Sequence, residues 1–385
     1  MALLSTANGV SCDMLIRNAR FPDKDFNFIK GDILIENGLI AGIGSFDGGD
    51  CLDAEGLTVL PGFVDIHIHG ALLADCSSGN PDDVQTVSRF LLSKGVTSFC
   101  PTTMTLPHDQ IEAAFSAAGQ CVGKEEGARI LGVNMEGPYI SHEKKGAQAE
   151  EFIRKPDIGE LEKLNSLCPV ALTDIAPEVD GALRYAEKAS LFCTVSAAHT
   201  AATFEQASDA FRHGFTHVTH LFNAMTPFLS REPGVPGAVF DSENVTAELI
   251  CDGCHVHPSV IRSAFRLLGE DRLCVISDAL PPAGEPDGEY DFSGQKIIVR
   301  DGLARLPDGT IAGSTTNLFD EFKNLLSFGI SEKAAVKACT INPAKAVKAD
   351  RDIGSIEIGK RADLLIIDEN KEIVKVIKGE RYCEK

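Results

Sequence analysis

The amino-acid sequence predicts an α/β fold, a (β/α)8 TIM-type barrel with a small β-sandwich domain formed by both chain termini. Three observations predict it. Eight short apolar runs rich in β-branched residues recur along the chain, seven of them closing on a polar residue. Segments with helical spacing lie between them, and strands that alternate with helices pair in parallel, because parallel neighbours need a long crossover. The two ends break this rhythm and read as β-rich. An open doubly wound sheet is the alternative, but the glycine-rich phosphate fingerprint expected there is missing.

The runs are Phe63 to His69, Val96 to Thr102, Ile130 to Glu136, Val170 to Ala176, Phe192 to His199, Phe215 to His220, Val245 to Asp252, and Leu273 to Asp278. Among the helices, Asp82 to Lys94 stops at Gly95, which suits a left-handed C-terminal cap. Thr203-Phe204-Glu205-Gln206 has capping-box form and opens a helix ending near Gly214, and Ser331 opens another to about Cys339. At the N-terminal end, Asp32 to Glu36 alternates and runs into an Asn37-Gly38 hairpin turn. At the C-terminal end, Ile356 to Ile358, Ala362 to Ile367 and Ile373 to Ile377 read as strands. These divide the chain into a small β domain, residues 1–60 with 350–385, and a barrel, residues 61–349. A hairpin, Lys296 to Thr310 turning on Pro307-Asp308-Gly309, is inserted after the eighth strand.

Composition narrows the function. A net charge of −20 argues against nucleic acid, whose phosphates need a basic footprint, and requires any anion site to stand out as a local cluster of donors. No apolar run approaches the ~20 residues needed to cross a bilayer. The first ten residues lack a basic segment followed by an apolar one, so no signal peptide is expected and the expected location is the cytoplasm. The 12 cysteines are scattered, which suits reduced thiols in a core, and the lone Cys251-Asp252-Gly253-Cys254 is a weak zinc signal.

Chemistry in such a barrel gathers at the C-terminal ends of its strands. Those ends supply His67, His69, Glu136, His199, His220 and Asp278. His67 and His69, two apart on one strand, face the same side. Imidazole and carboxylate are usual ligands for a divalent cation, and Asp278 could pass a proton from water to a leaving amine. A lone strand-end histidine is commonly structural and a lone aspartate commonly a cap. The paired His-x-His and the placement of the whole set at predicted strand ends favour a metal site.

The segments around these positions resemble the N-acetylglucosamine-6-phosphate deacetylases, a family of the amidohydrolase superfamily. The resemblance runs in order through Leu60 to Gly70, Met135-Glu136-Gly137-Pro138-Tyr139, Lys144 to Gln148, Ala176-Pro177-Glu178 and Ser196 to Thr200. It continues through Thr219 to Met225, Arg231-Glu232-Pro233-Gly234, Asp252-Gly253 with His255, Ser277-Asp278-Ala279 and Ala312-Gly313-Ser314, covering essentially the whole chain. It implies hydrolysis of the acetamide of N-acetyl-D-glucosamine 6-phosphate. Glu136, His199 and His220 are then the core metal ligands, with His67, His69 and Asp278 around a second metal and Glu136 bridging. One or two divalent ions are implied, and Zn, Fe, Mn and Co all remain open because His/carboxylate sites accept several metals. Asp278 is implied as the general acid/base. Asn223, Ala224, Ala147 and Ala312 are implied to meet substrate, while His255 and Arg231 are implied to grip the 6-phosphate, with Arg231 reaching across a homodimer. Gln148 stands where some members carry His near the acetyl oxygen; its amide can donate a hydrogen bond but not charge.

The nearest alternative is the galacto epimer of the same substrate. A cyclic-amide hydrolase is disfavoured by Glu136 standing where a carbamylated Lys would bridge two metals. A non-catalytic sugar-phosphate sensor is disfavoured by the retention of every ligand and of Asp278. His108, His142, His213 and His217 carry no assigned role, and His257 reads as a loop residue.

Overall fold

The computed structural model describes residues 14–47, 51–292, 295–379 and 381–384. Eight parallel strands follow the predicted runs: β1 (Phe63–Ile68), β2 (Val96–Pro101), β3 (Val133–Tyr139), β4 (Val170–Ile175), β5 (Thr194–Ala197), β6 (Phe215–Val218), β7 (Thr246–Leu249) and β8 (Leu273–Val275). Strands β3 to β8 pair in chain order in one sheet, and β1 pairs with β2 in another. Parallel bridges Thr102↔Asn134 and Ile68↔Ala279 tie β2 to β3 and the end of β8 to β1. Six of the eight strands, β1 to β5 and β8, are buried along their whole length, which is why they read as continuous apolar runs rather than as alternating ones.

The helices outside them form where the sequence places their signals. Pro81–Ser93 starts on Asn80, whose side chain accepts from Asp82 N, with proline in its first turn. It buries Val84, Val87 and Leu91, and Gly95 beyond it takes a φ of +79°. The reciprocal capping box of Thr203 and Gln206 opens Phe204–Arg212, and Ser331 caps Glu332–Cys339. Leu318–Ser327 packs on the parallel strands through Phe322, whose ring meets Phe63 of β1 edge-on at 5.3 Å.

The termini pair with each other. Thr58–Pro61 lies antiparallel to Asp363–Ile367, inside an eight-stranded sheet that also holds Met14–Pro22, Phe28–Glu36, Leu39–Gly44 and Ile373–Lys378. This sheet has its own core of Ile16, Phe21, Ile33, Val59, Leu364 and Ile366. Asn37 and Gly38 both take positive φ, which is the two-residue hairpin the Asn-Gly pair signals.

Two sequence expectations need correction. Ile356 to Ile358 forms no strand: the stretch lies between turns at Gly354 and Gly359, and Ile356 reaches the small core from a loop. The insertion after β8 is larger than one hairpin. It is a four-stranded antiparallel sheet, Gly288–Phe292, Gln295–Arg300, Leu303–Arg305 and Ile311–Ser314, with the expected turn at Pro307 to Gly309 joining its last two strands.

Candidate active site

The predicted strand-end residues converge. Glu136 ends the apolar part of β3 and stands between two histidine pairs. Its Oε1 is 3.0 Å from His199 Nε2, 3.2 Å from His220 Nε2 and 3.5 Å from His67 Nε2. Its Oε2 is 3.4 Å from His69 Nε2. Asp278 Oδ1 lies 3.4 Å from His69 Nε2 and 3.6 Å from His67 Nε2. All six side chains are buried or nearly so, and all but His67 line a cavity of about 200 Å³.

Local backbone accounts for this convergence. His199, His220 and Asp278 sit just past the ends of β5, β6 and β8 in the left-handed region, at φ of 43°, 30° and 46°. That conformation costs a non-glycine residue on the order of 1–3 kcal/mol and persists only where the surroundings enforce it. Here the backbone is pinned on both sides: Asp278 N donates to His67 O and Ser314 N to Asp278 O, while Ser141 N donates to His199 O. Glu178, in the Ala-Pro-Glu segment, accepts from Thr200 Oγ1 and from Ala201 N and so holds the turn after His199. After Glu136, Gly137 takes a φ of +76°, and a Cβ there would come within 2.1 Å of Thr105 Oγ1, so only glycine fits.

The hydrogen bonds fix which nitrogen of each ring faces the centre. His199 Nδ1 faces Lys144 O at 2.9 Å and His220 Nδ1 faces Asn223 O at 3.2 Å. A carbonyl only accepts, so each Nδ1 carries the proton and each Nε2 presents a lone pair inward. His67 Nε2 has no hydrogen-bond partner in its buried position. Two donor triads result, His67–His69–Glu136 and Glu136–His199–His220, each with its ligand atoms within 4.8 Å of one another. Buried lone pairs facing one another suit a divalent cation, and the donor set of four imidazoles with shared carboxylate oxygens is that of zinc-type sites.

Without a cation the carboxylates act on the rings directly. Burial disfavours the His69 imidazolium, yet Asp278 and Glu136 beside it outweigh burial and hold its pKa up to about 9. His220 is raised for the same reason, mainly by Glu136. Burial works against the Glu136 and Asp278 carboxylates too, but the surrounding histidines hold both below the usual range.

The remaining expected residues divide. Ala147, Gln148, Asn223, Ala224, His255 and Ala312 line the cavity. His255 Nδ1 is 2.6 Å from Asp252 Oδ2, while its Nε2 is buried without a partner. Gln148 is a clamp: its Nε2 donates to Glu136 Oε2 at 2.5 Å and its Oε1 accepts from Thr105 N at 2.7 Å. Arg231 is exposed and lies outside the cavity lining of its own chain. Cys251 is buried and Cys254 exposed, both as free thiols, and no metal-type cluster among the described residues includes them. His108 and His142 are largely exposed, whereas His257 caps the helix Pro258–Leu268 by accepting from Ser259 N.

Two residues without an expected role sit behind the ligands. Glu248 on β7 is fully buried, with Oε2 3.0 Å from His67 Nδ1 and Oε1 3.4 Å from His217 Nε2. Burial opposes its ionisation, but His67 and His217 prevail and hold its pKa down to about 2. The signal for it was a glutamate inside an otherwise apolar strand.

Residues 58–381 match the Amidohydrolase family. The chain belongs to that family. This amidohydrolase is 36% identical over 329 residues to the N-acetylglucosamine-6-phosphate deacetylase of Bacillus subtilis (strain 168), covering 83% of each chain. It is 33% identical over 331 residues to the N-acetylgalactosamine-6-phosphate deacetylase of Escherichia coli O157:H7, covering 84% of this chain and 86% of that one. The fold also matches a solved mutant N-acetyl-D-glucosamine-6-phosphate deacetylase from Mycobacterium smegmatis in complex with N-acetyl-D-glucosamine-6-phosphate. There the TM-score is 0.89 at 29% identity, over 96% of this amidohydrolase and 99% of that chain.

Proposed function

We propose that the chain hydrolyses the acetamide of N-acetyl-D-glucosamine 6-phosphate, releasing acetate and D-glucosamine 6-phosphate. The observation that carries this is the floor of the cavity, where Glu136 joins two histidine pairs with Asp278 at their edge. Glu136, His199 and His220, and at a second position His67, His69 and Asp278, would hold a divalent cation, which would supply Lewis acidity toward the carbonyl and a water. Asp278, ionised at neutral pH, accepts the water's proton and returns it to the departing sugar nitrogen. Gln148 holds Glu136 in place, and Asn223, Ala224, Ala147 and Ala312 shape the cavity around the sugar.

His255, with its Nδ1 toward Asp252, would meet the 6-phosphate as a donor when its unpartnered Nε2 carries a proton. Arg231 cannot be assigned to the cavity of its own chain, and the exposed Phe228 and Leu229 beside it suit a subunit contact. These features support a homodimer in which the partner's Arg231 completes the phosphate grip. The domain division is proposed as a closed (β/α)8 barrel over 61–349, supported by the two tying bridges, beside a small β-sandwich from 1–60 and 350–385. The cytoplasm is proposed as the place of action; no helix among the described residues is long and apolar enough to cross a membrane.

The test is acetate release by purified protein from N-acetylglucosamine 6-phosphate, its unphosphorylated form and the galacto 6-phosphate, with metal content read on the same sample. Turnover of the phosphorylated gluco sugar above both others is expected. The similarity to an N-acetylgalactosamine-6-phosphate deacetylase makes preference for the galacto sugar the second reading, and turnover of neither sinks both.

A further inference from the structure

We propose that Glu248, braced by His217, is a positioning residue that prepares His67 as a metal donor and thereby sets whether the first-strand histidine pair holds a cation. The inference rests on the two-cation form of the function proposed above.

A neutral imidazole has one proton for two nitrogens, and the stronger acceptor takes it. At His67 the choice is unambiguous. Nδ1 has the Glu248 carboxylate at 3.0 Å, whereas Nε2 has no hydrogen-bond partner and faces Glu136 Oε1 at 3.5 Å and Asp278 Oδ1 at 3.6 Å. The proton stays on Nδ1 and the Nε2 lone pair points at the cation position.

The other histidines are backed differently. His199 and His220 donate to the neutral carbonyls of Lys144 and Asn223, and His69 Nδ1 is buried without a partner. Among the four, His67 alone is backed by a carboxylate. A full negative charge behind the ring raises its basicity more than a carbonyl does, and such backing groups govern metal affinity. The residue that gains by this is in the first-strand pair, which lacks any other strong backing.

Glu248 has the build of a device for this purpose. It lies wholly buried on β7, a strand that ends without a ligand of its own. Its free oxygen, Oε1, faces His217 Nε2 at 3.4 Å. His217 is itself oriented, because its Nδ1 is 2.6 Å from Thr246 Oγ1; with that hydroxyl donating to Nδ1, the ring's proton sits on Nε2, toward Glu248. The Glu248 carboxylate thus has His217 of β6 beside it, at ion-pair rather than hydrogen-bond geometry, while it holds His67. Its remaining contact, with His220 N at 3.3 Å, leaves the His220 ring anchored by Asn223 O. Loss of the carboxylate should loosen His67 and spare the Glu136–His199–His220 triad.

The experiment is a cobalt(II) titration of metal-stripped wild type, Glu248→Gln, Glu248→Asp and His217→Gln. Bound metal per chain and visible absorption are followed, and the His67 Nδ1 proton is observed by NMR. Wild type should bind two equivalents. Glu248→Gln should keep one tight equivalent, bind the second roughly 10–100-fold more weakly and lose the downfield Nδ1 proton signal. His217→Gln should weaken the second equivalent in the same direction by less. Two equivalents of unchanged affinity in Glu248→Gln overturn the role of Glu248. Loss of both equivalents makes Glu248 a scaffold for the entire site and overturns its selective role. A single equivalent in wild type overturns the two-cation form itself. Should Glu248→Gln not fold, Glu248→Asp decides: a second site of wild-type affinity there overturns the proposal, and a weakened one supports it.

Discussion

The Nε2 atoms of His199 and His220 lie 3.2 Å apart, and both face Glu136 Oε1. Each ring keeps its Nδ1 against a backbone carbonyl, so neither neutral ring has a proton to place between them. Two lone pairs at that distance repel unless a cation or an added proton intervenes. The pocket floor is thus built to be completed, and its stability and chemistry should both report on what completes it.

Metal removal should destabilise the protein. A cation that binds only the folded arrangement of Glu136, His199 and His220 adds stability by mass action. Chelation at neutral pH is expected to lower the melting temperature and abolish turnover, with both restored by Zn, Mn or Co. A melting temperature unmoved by complete stripping would count against these residues as ligands.

The stripped protein should then lose stability as the solution turns alkaline. Despite burial, Asp278 and Glu136 hold the folded His69 up to about 9, above its ordinary 6.5. A group whose folded pKa is raised contributes stability that is complete below its unfolded pKa and is lost as pH rises through the folded one. Melting of chelated protein should fall by on the order of a few °C between pH 6.5 and 9. A flat or rising melting curve over that window contradicts the assignment. Metal affinity should rise over the same window, because binding must displace the His69 proton.

Asp278→Asn separates proton transfer from metal holding. The amide keeps the shape of the carboxylate but accepts no proton. With the core triad intact, kcat is expected to drop by two orders of magnitude or more while bound metal stays near wild type. Loss of metal along with activity would make Asp278 chiefly a ligand, which its 3.4 Å distance to His69 Nε2 also permits.

The strands and the candidate ligands were legible for one reason: a fully buried parallel strand is a short apolar run, and polar residues near or just past its C-terminal end stand out against it. His67 and Glu136 lie within β1 and β3, and His199, His220 and Asp278 lie two or three residues past β5, β6 and β8. Glu248 and His217 also lie within strands, β7 and β6, but no His-x-His or Glu-Gly-Pro pattern marks them. A charged residue inside an apolar run signals a buried partner, but spacing along the chain cannot say which one; only the folded arrangement brings Glu248 of β7 to His67 of β1. The misread Ile356 to Ile358 shows the opposite limit. Its alternation reflects burial of Ile356 in the small core, which a loop achieves without pairing.

The phosphate grip tests the assembly. His255 lines the cavity of its own chain, whereas Arg231 stands exposed outside it, so in the proposed dimer Arg231 would reach the phosphate of the partner's site. Replacing either with Ala should raise KM for the phosphorylated sugar with a smaller effect on kcat, since both act away from the acetamide. Mixing decides where Arg231 acts. Arg231→Ala protein lacks the donor but keeps Asp278, and Asp278→Asn protein keeps the donor but lacks the proton carrier. If Arg231 serves its neighbour, a mixed dimer contains one complete site, and random exchange of equal amounts should restore about a quarter of wild-type activity at low substrate. If Arg231 serves its own chain, every mixed dimer holds two defective sites and exchange restores nothing. Activity of re-equilibrated mixtures, beside each variant alone, distinguishes the two.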